Sequence, residues 1–292
     1  MKKKIIKIGY GNVKKVLIGD KNPLVFIGGP CAIENKDHAF YMASNIRKIC
    51  KSLNIPWIYK SCYDKDCRSS LSSFHGVGID EGLKILEGIR NEFGIPVVSD
   101  FSDPSHANLT GKICDFIQIP AYLCRQTSIL KAAALTKKPI HLKKGQFMSP
   151  WNMKNSVRKI EEFKNYNILL TDRGTFFGYN MLINDMRNFS IMSETGYPVC
   201  FDATHSIQLP TSMGNISGGQ REFIPSLVRA AVAAGINALF MEVHNDPKNA
   251  LSDSNTVLDI KYLRFILSQA KDLHKKRLEI QDKYGEDNVH KK

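Results

Sequence analysis

Eight short apolar runs, each ending in polar residues and followed by a longer segment of helical period, limit what this chain can fold into more than any other feature. The runs are LVFIGG (24–29), WIYKS (57–61), PVVSD (96–100), FIQIP (116–120), PIHLKK (139–144), ILLTDR (168–173), VCFDATH (199–205) and ALFMEVH (238–244). They are strand-length and rich in β-branched or aromatic residues. Between them, HAFYMASNIRKICKSL (38–53), DEGLKILEGIRNEF (80–93) and FIPSLVRAAVAAG (223–235) read as amphipathic helices. Eight strands alternating with helices in a 292-residue chain predict an α/β fold, a (β/α)8 TIM barrel. An open doubly wound sheet is the other arrangement of this alternation, but no G-x-G-x-x-G follows the first run. Residues 1–22 are expected to form a hairpin around Gly9–Gly11 that closes the bottom of the barrel. Residues 23–272 then form the catalytic barrel, and 273–292 a charged C-terminal tail, a helix that frays.

The net charge of +13 raises the possibility of a basic nucleic-acid-binding protein without catalysis. The basic residues are scattered, with no aromatic-interleaved RNA motif and no zinc-finger spacing, so no nucleic-acid partner is expected. No apolar run approaches the ~20 residues of a membrane helix; the longest, AAVAAGINALFM (230–241), is interrupted by Gly235 and Asn237. MKKKIIKIGYGN lacks the apolar core of a signal peptide, and seven cysteines is an odd number. Both point to a cytoplasmic protein with free thiols.

In such a barrel the C-terminal strand ends build the active site. Here those ends deliver Cys31, Lys60, Asp100, Gln118, Lys143-Lys144, Asp172-Arg173, His205, and Glu242 with His244 to one rim. Meeting water explains one or two polar strand ends, but poorly explains so many cations and metal-ligand types directly after apolar runs. Lys60, Lys65, Arg68, Lys143, Lys144 and Arg173 would make a cleft suited to phosphate and carboxylate groups. Such cations repel one another unless a multiply anionic ligand or acidic partners offset them. Cys31, His205 and Glu242, with Asp253 as a further candidate, form a donor set for a divalent metal such as Zn²⁺, Fe²⁺ or Mn²⁺. Strands one, seven and eight, which carry the first three, become neighbours when the barrel closes. Other motifs are weaker. Cys62 and Cys67 form a lone C-x4-C, read as loop and packing cysteines. Ser69-Ser70 and Ser72-Ser73 lack a nucleophile elbow and suit phosphate binding better. GNISGGQRE (214–222) is read as a mobile lid with Arg221 reaching the site.

The segments GGPCAIE, DKDCRSSLSSFHGVG, IQIPAYLCRQT, HLKKGQFMSPW, TDRGTFFGYN, FDATHSIQLP, SGGQREF and FMEVHNDPKNALSD resemble, in order from about residue 24 to 265, the 3-deoxy-D-manno-octulosonate 8-phosphate synthase (Kdo-8-phosphate synthase) family. The resemblance implies a homotetrameric (β/α)8 barrel that condenses phosphoenolpyruvate with D-arabinose 5-phosphate and releases phosphate, a step toward lipopolysaccharide. It implies that Lys60 and Lys65 contact the phosphoenolpyruvate carboxylate, with Gln118 nearby. Lys143, Arg173 and the backbone N–H of Ala121 hold its phosphate. Arg68 and Ser69 bind the sugar phosphate, Arg125 comes from a neighbouring subunit, and Asp100 lies near the sugar. Cys31, His205, Glu242 and Asp253 match the ligands of the metal-dependent class, where the metal-independent class has Asn in place of the cysteine. Lys60, His205 and Asp253 are the candidates for the chemistry, with His205 or a metal-activated water, backed by Asp253, handling protons.

The chain departs from the family pattern at Asp66 and Cys67, which replace Ala and Asn, at Cys62, which replaces Ser, and at His75, which replaces Arg. A related family, the 3-deoxy-D-arabino-heptulosonate 7-phosphate synthases, uses erythrose 4-phosphate and typically reads K-P-R-T-S in the second loop. Arg68-Ser69-Ser70 fits the octulosonate branch better. Gly28-Gly29-Pro30 is expected to let the backbone turn closely at the barrel mouth while holding the thiolate toward the metal.

Overall fold

The computed structural model describes residues 3–66, 73–213 and 216–285. Eight parallel strands form its centre: β1 (Val25–Gly29), β2 (Trp57–Lys60), β3 (Val97–Asp100), β4 (Phe116–Ile119), β5 (Ile140–Lys143), β6 (Ile168–Asp172), β7 (Val199–Asp202) and β8 (Ala238–His244). Each pairs with the next in sequence, and β8 pairs with β1, closing a (β/α)8 barrel as the alternation predicts. The outer helices are α1 (Lys36–Leu53), α2 (Ile79–Phe93), α3 (Ala107–Ile113), α4 (Thr127–Leu135), α5 (Met153–Glu161), α6 (Arg187–Ser193), α7 (Ile224–Ala233) and α8 (Leu263–Tyr284).

Local signals account for the element ends. The Asn35 side chain accepts the His38 N–H at 2.8 Å and caps α1, whose buried face is Ala39, Met42, Ala43, Ile46 and Cys50. Asn54 and Gly94 end α1 and α2 in the left-handed conformation, which Gly and Asn adopt most easily.

The core has two parts. The larger lies between strands and helices. The smaller fills the barrel and includes Ile27, Ile58, Val98, Phe116, Leu169, Cys200 and Phe240 together with Ile6, Ile8, Val16 and Ile18. Those last four residues belong to the N-terminal hairpin (Ile6–Ile8 with Val16–Ile18), so the hairpin plugs the barrel bottom with its apolar face. At the C-terminus, α8 runs to Tyr284, and its buried His274 places Nε2 3.1 Å from the Asn22 carbonyl oxygen.

Successive strand residues point to opposite sides. Counting on by twos from the inner apolar layer therefore gives the next layer toward the mouth. Ile58 leads to Lys60, Val98 to Asp100, Phe116 to Gln118, Cys200 to Asp202 and Phe240 to Glu242. His141, stacked on Phe116 with ring centroids 5.3 Å apart, leads likewise to Lys143. The barrel thus converts one parity class of its strands into a polar ring.

Candidate active site

That ring opens into a cavity of about 410 Å³ lined by Lys60, Lys65, Asp100, Gln118, Ala121, Lys143, Arg173, His205, Gln208, Glu242 and Asp253, among others. The predicted phosphoenolpyruvate residues Lys60, Lys65, Gln118, Ala121, Lys143 and Arg173 therefore share one chamber, and Asp100 faces it as well. Arg68 and Ser69 lie outside the described residues. Arg125 is exposed and does not line the cavity of its own chain.

Lys60 is buried, and its Nζ lies 3.3 Å from Glu242 Oε1, 3.3 Å from the Cys31 carbonyl oxygen and 3.7 Å from Asp100 Oδ1. Lys65 Nζ lies 3.2 Å from Asp253 Oδ2 and 3.8 Å from Glu242 Oε1. Lys143 Nζ lies 2.6 Å from Asp202 Oδ2 and 3.6 Å from the centre of the Phe240 ring. Arg173 donates to Gln208, while its Nη1 is buried without a hydrogen-bond partner among the described residues. The mutual repulsion expected of these cations is thus answered by acidic partners. Lys60, Lys65 and Lys143 face four carboxylates, Asp100, Asp202, Glu242 and Asp253, while Arg173 meets the Gln208 amide.

The charges tune one another. Burial opposes the ionised form of the Lys60 amine, but Asp100 and Glu242 more than offset it and raise its pKa. Burial likewise opposes the Asp100 carboxylate, yet Lys60 and Lys65 hold its pKa down at about 2. Asp253, Glu242 and Asp202 are held below the usual carboxylate range in the same way, against burial, by neighbouring Lys and His.

Cys31 follows the end of β1, and the pairing of Glu242 with Gly29 in the β8–β1 register brings the Glu242 carboxylate beside it. Cys31 Sγ lies 2.9 Å from Asp253 Oδ2. One donor atom from each of Cys31, Glu242 and Asp253 lies within 4.8 Å of the others. His205 Nε2 lies 3.7 Å from Glu242 Oε1, while its Nδ1 faces Asp202 Oδ2 at 2.8 Å. Burial and the adjoining Asp253 and Glu242 charges push the Cys31 thiol well up, against the opposing pull of Lys65 and Lys60. Glu242 Oε2 is buried with no hydrogen-bond partner among the described residues. An orphaned carboxylate oxygen, a thiol, a second carboxylate and an imidazole oriented from behind by a carboxylate suit a divalent transition metal.

Several sequence expectations change in detail. Lys144 points away from the chamber. Its Nζ is fully buried beside Asp172 at 3.1 Å and donates to the carbonyls of Gly145, Met148 and Gly174, so it ties loops together. Gly28 and Gly29 sit inside β1, and neither has a positive φ. A Cβ at Gly28 would strike the Met241 carbonyl oxygen, and one at Gly29 the Lys60 carbonyl oxygen. Their role is close strand packing. Residues 216–219 pair with 208–213 as an antiparallel ladder, and Arg221 faces Asp259, not the cavity. Cys62 Sγ donates to Asp100 Oδ1 at 2.7 Å, a polar contact beyond the packing role read for it. Sequence reasoning missed Asp202, which grips both Lys143 and His205, and Gln208, which bridges Arg173 and Asp253 at 3.4 Å. Asp202 was within reach of the count by twos along β7.

A model of the DAHP synthetase I family matches residues 5–279. The chain is 52% identical over 262 residues to the 2-dehydro-3-deoxyphosphooctonate aldolase of Protochlamydia amoebophila (strain UWE25), covering 90% of this chain and 95% of that protein. It is 50% identical over 252 residues to the protein of the same name from Cyanothece sp. (strain PCC 7425 / ATCC 29141), covering 86% and 92%. Against that of Rickettsia prowazekii (strain Madrid E), identity is 47% over 278 residues, covering 95% and 99%.

Proposed function

The chain belongs to the DAHP synthetase I family, and we propose that it is the enzyme condensing phosphoenolpyruvate with D-arabinose 5-phosphate and water to 3-deoxy-D-manno-octulosonate 8-phosphate and phosphate. The observation that carries this reading is the phosphooctonate name borne by relatives 47–52% identical over nearly the whole chain. Phosphoenolpyruvate supplies three carbons, so an eight-carbon product requires a five-carbon aldose phosphate. The heptulosonate alternative requires the four-carbon erythrose 4-phosphate and is not favoured.

In this reading Lys60 and Lys65, with Gln118, bind the phosphoenolpyruvate carboxylate. Lys143, Arg173 and the Ala121 N–H bind its phosphate. Arg68, Ser69 and Asp100 receive the sugar phosphate, with Arg125 from a neighbouring subunit of a homotetramer. The phosphoenolpyruvate methylene carbon attacks the aldehyde carbon, and the aldehyde oxygen takes up a proton. Water adds to the enol carbon, and the C–O bond to phosphate breaks. Fixed cations stabilise charge on both anions through these steps, and holding the two reactants together supplies much of the rate. His205, with Asp202 behind its Nδ1, presents Nε2 to the ligand cluster, and a water backed by Asp253 handles the protons.

Cys31, His205, Glu242 and Asp253 would hold a divalent ion, Zn²⁺, Fe²⁺ or Mn²⁺, which when bound supplies Lewis acidity. Charge balance supports this. Without added positive charge, an anionic substrate competes with Glu242 and Asp253 for the Lys60 and Lys65 amines. A cation taken up by the carboxylates frees those amines for substrate.

The test is phosphate release from phosphoenolpyruvate with a panel of four- and five-carbon aldose phosphates, with and without chelator. Turnover with arabinose 5-phosphate, abolished by EDTA and restored by divalent metal, is expected. Turnover only with erythrose 4-phosphate moves the chain to the heptulosonate branch. Full activity in stripped protein removes the metal from the reading.

A further inference from the structure

Glu34, His38 and His244 meet beside the site, and the chemistry above leaves them unused. Their donor atoms lie within 4.8 Å of one another, as in a second metal site. The hydrogen bonds assign them differently. The Asp246 backbone N–H reaches His244 Nδ1 at 2.9 Å. An amide N–H only donates, so Nδ1 is the bare nitrogen and Nε2 carries the ring proton. A metal-bound imidazole ligates through one nitrogen and donates from the other; here the nitrogen facing the cluster is the protonated one. That Nε2–H meets Glu34 Oε1 at 3.2 Å, and the same oxygen accepts the Leu251 N–H at 3.0 Å.

We propose that Glu34 is a positioning residue, a brace that fastens the segment carrying Cys31 to the segment carrying Asp253 and so sets the spacing of those two metal ligands. The inference rests on the metal reading above. Glu34 follows Cys31 by three residues, and Leu251 precedes Asp253 by two. The Glu34–Leu251 bond therefore ties the two ligand segments directly, across the 222 residues that separate Cys31 from Asp253. His244 and His38 hold the near end of the same loop. His38 Nε2 lies 2.8 Å from Asn245 Oδ1, and the two imidazole rings pack with centroids 4.5 Å apart. Asp253 itself has φ +51°, a left-handed conformation uncommon for residues with a Cβ.

The test uses full-length protein stripped of metal and titrated with Co²⁺, following the thiolate-to-metal charge-transfer absorption that reports Cys31, alongside thermal melting of the metal-free protein. Cys31→Ser is the control that removes the band. Glu34→Ala is expected to weaken Co²⁺ binding about tenfold, the lower end of what lost outer contacts do to metal sites. Glu34→Gln keeps an oxygen that accepts both N–H groups and is expected to recover most of the affinity. Glu34→Asp, one methylene shorter, is expected to lose affinity several-fold, and it carries the test if the alanine variant does not fold. A merely structural role lowers the melting temperature and leaves the affinity alone. Wild-type affinity and band in Glu34→Ala or Glu34→Asp overturn the brace while leaving the metal reading intact. Absence of the band in the wild type overturns both.

Discussion

Asp202 shows how one residue organises several others. It is buried at the end of β7, faces Lys143 Nζ at 2.6 Å and His205 Nδ1 at 2.8 Å, and accepts the His205 backbone N–H at 3.0 Å. Asp202→Asn keeps the shape but removes the charge that offsets Lys143 and orients the imidazole. It is expected to lower kcat for phosphate release by up to about a hundredfold, the upper end of what losing the partner behind a metal-binding imidazole does, measured at saturating metal. A residue-scale pH effect follows from Asp100. Its pKa is held at about 2, below the ordinary 3.8, by Lys60 and Lys65 against the effect of burial. A depressed carboxylate stabilises the fold above its unfolded pKa, and that stability is lost as pH falls through the folded value. Asp100 therefore contributes above about pH 4 and loses its contribution toward pH 2. Asp100→Asn is expected to flatten the pH dependence of urea stability in that window; an unchanged slope contradicts the assignment.

At the scale of elements, β1 is decided by what it lacks. Phe26 and Ile27 are fully buried, and the two following positions carry no side chain because the Met241 and Lys60 carbonyls of the flanking strands occupy that space. Gly29→Ala is expected to destabilise the protein by about 1–3 kcal/mol, as overpacking does, read from urea denaturation. It also displaces the Lys60 backbone, so the KM for phosphoenolpyruvate is expected to rise. GGPC was legible as a strand ending in a reactive thiol. The reason for its glycines was not, because the neighbouring carbonyls, those of Lys60 and Met241, belong to strands that follow it by tens to hundreds of residues. Lys143 and Lys144 make the same point. Adjacent strand residues face opposite ways, so at most one of the two looks inward. The sequence shows two lysines, and only the packing of His141 on Phe116 decides which enters the chamber.

For the whole molecule, Phe176, Phe177, Tyr179, Met181 and Ile183 are all exposed on and around the small hairpin that pairs Thr175–Phe176 with Leu182–Ile183, and Tyr179 is 98% accessible. An exposed apolar cluster of this kind is a candidate contact surface, and the proposed homotetramer would use it. Light scattering is expected to give four times the 32.9 kDa chain mass. Arg125→Ala is expected to raise the KM for the sugar phosphate severalfold with little change for phosphoenolpyruvate, because Arg125 is exposed and outside its own chain's cavity. An equal rise for both substrates counts against its delivery from a neighbouring subunit. No helix among the described residues is long and apolar enough to cross a membrane.

By itself the sequence determined the alternation of strands and helices, the plugging hairpin and the residue types at the strand ends, because these follow from local periodicity and chain chemistry. It named Cys31, His205 and Glu242 as candidate ligands through the neighbourhood of strands in a closed barrel. Only the tertiary structure decided which carboxylate offsets which amine, that Asp202 stands behind both Lys143 and His205, that Lys144 serves the loops, and that Glu34 meets the Leu251 amide. Those pairings join residues up to 217 positions apart in the Glu34–Leu251 case. They depend on strand register and on the phase of each strand's in-and-out alternation, which barrel closure sets.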